Sequence, residues 1–272
     1  MENPRYWISQ WYSTRFAEEP WPGGWYWHDR HFNWHGPFDS ERAAADELRD
    51  YEESERAASD AHERTRPQFG LYYHPVSTYC QKVLIAIYEK GLRFTPHIVD
   101  LMDPAEREEY RKLYPLGKIP LIVLNHGPLI PESNIIIEYL EGLGGRQLIS
   151  SNADVARKTR FKDKFIDLYL SDSIGRLRRE NGKSQAERNA EQIDECRHRI
   201  SVVYDFLEHE LKGQTWANGE EFSMSDCSAA AALLYAPEVA PYTQYQNIVA
   251  YAERLAERDS VRRARQDAAQ YS

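Results

Sequence analysis

Ser77 and Cys80 stand three residues apart in the run His74-Pro75-Val76-Ser77-Thr78-Tyr79-Cys80-Gln81-Lys82-Val83. This run marks the point where a short apolar strand gives way to a helix, with Thr78 and Gln81 at capping-box spacing. A hydroxyl donor and the positive end of a helix meet there, which makes an anion site. The same position also suits an ordinary capping serine. Cys80 lies one turn along, where a helix amino terminus can lower a thiol pKa and allow mixed disulfides. Cys196 and Cys227 fall inside amphipathic helices and read as core or interhelical residues.

Three further constellations stand out. Pro120 follows Ile119 at the start of an apolar run, where a proline removes a ladder hydrogen bond and so needs a reason to be there. Glu132 and Ser133 precede Ile135, Ile136 and Ile137 at a helix start, where free backbone N–H groups and a hydroxyl can receive a carboxylate. Ser223 and Asp226 have capping-box spacing, with Phe222 and Cys227 placed as a hydrophobic staple, and are read as fold-determining. His28, His31 and His35 do not suggest a metal site: no cysteine accompanies them, and strand alternation puts His28 on the face opposite the other two.

The elements that must position these residues fall into three regions. Six of the seven tryptophans lie within the first 34 residues. Residues 5–12 and 25–34 read as two aromatic strands around a Pro/Gly-rich turn, and residues 41–63, rich in Ala, Glu and Arg, as a helix that breaks before Pro67. Residues 1–66 carry eight basic and fourteen acidic side chains and so hold six of the nine net negative charges. The region 1–66 is therefore expected to be an acidic, aromatic-rich ββα extension.

Residues 69–145 follow a βαβαββα order: a strand at 69–73, a helix at 78–90 stopped by Gly91, a strand at 93–99 and a helix around 105–113. A buried strand at 120–124, a turn at Asn125-His126-Gly127, a strand at 129–130 and a helix at 133–141 complete it. This order fits a three-layer α/β domain on one mixed sheet. Residues 150–272 are read as all-α, with helices at 153–180, 184–211, 225–235 and 248–269, the last with possible interruptions; Phe161, Phe165, Leu168 and Tyr169 share one helical face.

The chain has 272 residues, 42% hydrophobic and 28% charged, with a net charge of −9 and three widely spaced cysteines. That is a folded-protein composition without a disulfide framework or a thiolate metal site. The negative charge, without a basic patch, argues against nucleic acid and anionic membranes. The amino terminus has no apolar signal core and no run approaches the ~20 apolar residues of a membrane span, so a cytoplasmic location is expected.

The order of a small α/β domain and a helical domain resembles the soluble glutathione transferases, and four local patterns carry the resemblance over roughly residues 69–272. The 74–83 run is similar to the S-x-x-C-[RQ]-x-V segment of theta- and delta-like and many bacterial members. Pro115-Leu116-Gly117-Lys118-Ile119-Pro120 is similar to the family's N-P-x-G-x-[IV]-P loop, whose last proline is cis, although Tyr114 replaces the usual asparagine. Pro131-Glu132-Ser133 resembles the [EQ]-S pair, and Phe222-Ser223-Met224-Ser225-Asp226 the [FI]-[ST]-x-A-D box. Residues 1–66 have no counterpart in that pattern.

The resemblance implies an α+β protein with a thioredoxin-like domain before the helical bundle, and glutathione as co-substrate without a metal. Glutathione attacks only as its thiolate, of which a thiol with pKa about 8.5 supplies a few per cent at neutral pH. Ser77 would stabilise that thiolate for attack on an electrophilic small molecule. Ile119 and Pro120 would present the Ile119 amide and carbonyl to the cysteinyl backbone, and Lys118 would reach the glycyl carboxylate. Glu132 would bind the γ-glutamyl ammonium and Ser133 its carboxylate, while Asn134 takes a position often held by arginine. The second substrate would lie near Tyr79, Phe165, Tyr169 and Tyr235. A homodimer is expected. Two rival readings are a non-catalytic binding or interaction protein on the same fold and a Cys80-dependent thiol transferase. Against the latter, the attacking cysteine of the related redox folds takes the place of Ser77.

Overall fold

The computed structural model describes residues 7–11, 24–28, 34–65, 69–124 and 127–271. Residues 20–23 of the expected turn at 20–24, residues 5, 6, 12 and 29–33 of the two expected strands, His31 among them, and Asn125 and His126 lie outside these. The chain divides into two compact units, residues 1–66 and 67–272.

In the first unit, β1 (Trp7–Trp11), β2 (Gly24–His28) and β3 (Trp34–Phe38) form an antiparallel sheet in that order, followed by α1 (Glu41–Thr65). β3 is an addition to the two strands read from the sequence, where Pro37 and the residues after it suggest a helix start. In the sheet His35 pairs with Trp27, and their rings stack at 3.9 Å. Trp27 and Tyr26 are buried, and the Tyr51 ring of α1 lies 4.9 Å from Trp27, so aromatic packing builds this unit's core.

The second unit opens with β4 (Phe69–Tyr73), α2 (Thr78–Lys90), β5 (Thr95–Ile98), α3 (Pro104–Leu113), β6 (Leu121–Leu124), β7 (Leu129–Pro131) and α4 (Ser133–Glu141). The sheet order is β5-β4-β6-β7, with β4 parallel to β5 and antiparallel to β6. α2 and α4 pack on one face, where Leu71, Val83, Leu84, Ile87 and Ile136 are buried; Tyr110 of α3 packs with Val99 and Leu121 on the other. Gly91 ends α2 at φ 64, a left-handed conformation that frees its N–H for the Ile87 and Tyr88 carbonyls.

The helical part holds α5 (Ala153–Phe165), a π-turn at Ile166–Ser171, α6 (Asp172–Asn181), α7 (Ala190–Glu210), α8 (Met224–Leu233), α9 (Gln246–Glu257) and α10 (Asp259–Ala269). Sequence periodicity reads 153–180 as one helix; the chain is helical throughout, but with a wider turn in the middle. α8 is buried on every side, and its run Ala229–Ala232 lets α2 and α5 approach closely. One apolar cluster joins the sheet, α2 and α4 to the bundle, so these two domains share a core.

Candidate functional site

Strand register gathers the sequence candidates at one end of the sheet. Tyr72 of β4 pairs with Leu121 of β6, which pairs with Pro131 of β7. Neighbouring strands are about 4.8 Å apart, so these residues form one row about 10 Å wide. β4 leaves that row toward Ser77, β6 enters it from Ile119 and Pro120, and β7 leaves it toward Glu132 and Ser133. Residues separated by more than fifty positions in sequence thus meet at the strand ends.

Ser77 is the N-cap of α2, with extended φ −74 and ψ 125, and is half-buried. Its side chain makes no capping hydrogen bond, while its carbonyl accepts the first helical bond from the Gln81 N–H at 2.9 Å. The first-turn N–H groups therefore remain for an anion, and the hydroxyl, whose neighbour is the Cys80 thiol, is not spent on the helix end. The capping box read from Thr78 and Gln81 is not formed: the helix starts at Thr78, one residue earlier than that motif requires. Gln81 instead donates to the Pro75 carbonyl at 3.0 Å and to the Tyr235 hydroxyl.

Cys80 is fully buried, and burial pushes its thiol up to about 12, the Ser77 hydroxyl and His74 backbone offsetting only part of the rise. At neutral pH Cys80 is a protonated core thiol. Cys196 and Cys227 are also free and buried.

The Ile119–Pro120 bond is cis, and Pro120 is buried. The loop before it is held by the Tyr110 hydroxyl, which donates to the Lys118 carbonyl at 2.8 Å. Gly117, at φ 59, donates its N–H to the Tyr114 carbonyl at 2.8 Å. The Lys118 side chain is exposed.

Glu132 caps α4 at φ 69 and ψ 120, the one positive φ at a non-glycine among the described residues. Such a backbone costs about 1–3 kcal/mol and collects at functional sites. The Glu132 carbonyl accepts the Ile136 N–H at 2.8 Å, so the N–H groups of residues 133–135 have no helical acceptor. Ser133, the first residue of the helix, is buried and Glu132 is exposed. Asn134 Oδ1 lies 3.5 Å from the Lys164 ammonium.

The second-substrate candidates are not all brought together. The Tyr79 hydroxyl donates to the Asp167 carbonyl at 3.2 Å, and burial followed by Asp167 raises its phenol, which stays protonated. Tyr235 is tied to Gln81, with the Arg178 guanidinium 5.2 Å from its ring centre. Phe165 and Tyr169 instead join an aromatic cluster with Phe161 and Phe206 of α7, with Phe165 4.6 Å from Phe206 and 5.3 Å from Tyr169.

Ser223 and Asp226 form the capping box of α8. Asp226 accepts the Ser223 N–H at 2.8 Å, the Ala217 N–H at 2.7 Å and the Tyr251 hydroxyl at 2.6 Å. Sequence reading passed over Lys82 of α2, whose buried ammonium bridges Asp163 and Asp167. The available signal was a lysine on an otherwise apolar helix face, and two aspartates four residues apart on the inward face of another helix.

Two cavities of about 420 and 270 Å³ do not include Ser77. In the larger one the charged walls pair internally, Lys90 with Glu141 at 2.9 Å and Arg160 with Glu138 at 2.5 Å. Among the described residues no group of three or more His, Cys, Asp or Glu side chains could hold a metal ion, and no helix is long and apolar enough to cross a membrane.

Known proteins give the same outline. Residues 71–146 match the family description "Glutathione S-transferase, N-terminal domain" and residues 165–259 "Glutathione S-transferase, C-terminal domain". The glutathione S-transferase-like protein LUC7 of Fusarium is 30% identical over 196 residues, 66% of this chain and 85% of that one. Glutathione S-transferase GstA of Escherichia coli is 26% identical over 185 residues, 66% of this chain and 89% of that one. A glutathione S-transferase of Methylobacterium radiotolerans, solved in complex with glutathione sulfonate, superposes with a TM-score of 0.65 at 25% identity, covering 72% of this chain and 93% of that one. With its thioredoxin-like amino-terminal domain and its all-helical carboxy-terminal domain, the chain belongs to the glutathione S-transferase family.

Proposed function

We propose that the protein is a glutathione transferase of the serine type, in which Ser77 turns bound glutathione into a nucleophile. The observation that carries this reading is a half-buried N-cap serine whose hydroxyl makes no capping bond, at the same end of the sheet as the Ile119 loop and the Glu132–Ser133 helix start. The co-crystallised glutathione sulfonate of the Methylobacterium relative supports glutathione as the ligand.

In this mechanism the tripeptide lies along the strand ends. The Ser133 hydroxyl and the free N–H groups of α4 receive the γ-glutamyl carboxylate, Glu132 its ammonium, and the Ile119 backbone the cysteinyl unit, with Lys118 near the glycyl carboxylate. The sulfur then faces Ser77 and the amino terminus of α2. As the S–H proton leaves to solvent, the Ser77 O–H donates to the thiolate and the helix end adds favourable potential, so both terms act on the charge that forms. The thiolate attacks the electrophilic centre of a small molecule. The buried thiol of Cys80 and the occupied Tyr79 hydroxyl are not competitors for this role. A cytoplasmic homodimer completes the proposal, as is usual in this family.

The test is turnover of glutathione with a chlorodinitrobenzene by wild type and Ser77→Ala. The proposal expects kcat/KM to fall about 100-fold with glutathione affinity nearly kept. Equal turnover in the two proteins would remove Ser77 from the chemistry, and glutathione binding without turnover in wild type would favour a binding protein on this fold.

A further inference from the structure

Lys82 lies five residues beyond Ser77 on α2, and its side chain is 1% exposed. Its ammonium donates to Asp163 Oδ1 of α5 at 2.6 Å and to Asp167 Oδ2 of the π-turn at 2.7 Å. Ser228 of α8 donates to Asp163, whose other oxygen, Oδ2, is buried without a partner among the described residues. Two carboxylates thus share one cation out of water. Apolar side chains of similar volume commonly stabilise such an interface as well or better, so stability alone is a weak reason for this cluster.

Asp167 has a second hold on α2. Its backbone carbonyl accepts both the Asp172 N–H, the five-residue bond of the π-turn, and the Tyr79 hydroxyl at 3.2 Å. One residue therefore grips α2 at Tyr79 through its backbone and at Lys82 through its side chain. Tyr79 lies two residues beyond Ser77, in the first turn of the same helix. π-turns inside α-helices are frequent at functional sites, where the extra residue re-aims backbone groups.

We propose that Lys82, Asp163 and Asp167 are positioning residues for the second substrate, clamping the π-turn against α2 so that the Tyr79 ring is held as a wall for the electrophile's apolar body. The inference rests on the glutathione transferase reading of Ser77 and deepens it: the triad acts on the group attached to sulfur and leaves the tripeptide site alone.

The experiment compares dissociation constants of glutathione and S-benzylglutathione by calorimetry for wild type, Lys82→Met, Lys82→Arg, Asp167→Asn and Tyr79→Phe. Loss of the clamp is expected to weaken S-benzylglutathione about tenfold in Lys82→Met, Asp167→Asn and Tyr79→Phe while glutathione stays within about twofold. Lys82→Arg, which can still bridge two carboxylates, is expected to restore the wild-type ratio. If Lys82→Met does not fold, Asp167→Asn and Tyr79→Phe read the same quantity with near-isosteric side chains. Parallel weakening of both ligands, or an unchanged ratio in folded variants, overturns the proposal and leaves the glutathione reading standing. Failure of wild type to bind either ligand overturns both.

Discussion

The hydroxyl of Tyr251 on α9 donates to Asp226 Oδ1 on α8 at 2.6 Å, and the same carboxylate caps α8 and holds the Ala217 N–H. Asp226 is fully buried. Asp226→Ala leaves two N–H groups and a phenol without an acceptor, which is expected to cost about 3 kcal/mol and lower the Tm by roughly 6–12 °C in a unit of this size. Ser223→Ala, which removes one cap hydroxyl, is expected to cost about 1 kcal/mol. Thermal unfolding of the two variants checks the order; equal losses would contradict it.

Burial of all three cysteines gives a chemical prediction. A thiol reagent at pH 8 should label none of Cys80, Cys196 and Cys227 in the native protein within minutes, and all three after unfolding, because only the thiolate reacts and burial keeps Cys80 protonated up to about 12. Rapid native labelling of Cys80 would revive a thiol transferase.

Glu132 separates backbone strain from ligand recognition. Glycine adopts φ 69 without the strain that a side chain meets there, so Glu132→Gly is expected to keep or raise the Tm. The same change removes the carboxylate proposed for the γ-glutamyl ammonium, and glutathione affinity is expected to fall about tenfold or more. Glu132→Gln keeps the strain and loses only the charge. Affinity unchanged in both variants would take Glu132 out of the site.

Asp167 should leave a mark on the pH dependence of stability. Burial, then the neighbouring Asp163 acting against the attraction of Lys82, leaves its carboxyl raised to about 6. The folded state therefore holds this proton more tightly than the unfolded chain, whose aspartates titrate near about 4. The contribution is fully present below about pH 4 and is lost as pH rises toward and through about 6. Asp167→Asn cannot titrate, so relative to it wild type should lose stability across that window; parallel denaturation curves from pH 4 to 7 would contradict this.

Local signals made much of this architecture legible. Apolar spacing and Gly91 mark α2, and three isoleucines after Ser133 mark α4, so the helix starts that build the site could be read from short stretches. β3 could not, because Pro37 and the residues after it look like a helix start, and only the pairing of Trp34, His35 and Phe38 with β2 makes this stretch a strand. The π-turn has no local signature, and the Lys82–Asp167 contact joins residues 85 apart, so neither follows from periodicity. Phe165 and Tyr169 share a helical face, as their spacing indicates, yet that face turns toward Phe206, a choice made by tertiary packing.

The central claim is that Ser77 lowers the pKa of bound glutathione. Ultraviolet thiolate absorbance of glutathione on the protein, titrated against pH for wild type and Ser77→Ala, tests it without any electrophile. The account predicts a thiol pKa at least about one unit below the free value of about 8.5 in wild type, moving back toward that value in Ser77→Ala. Tight binding with an unshifted thiol in both proteins would contradict it.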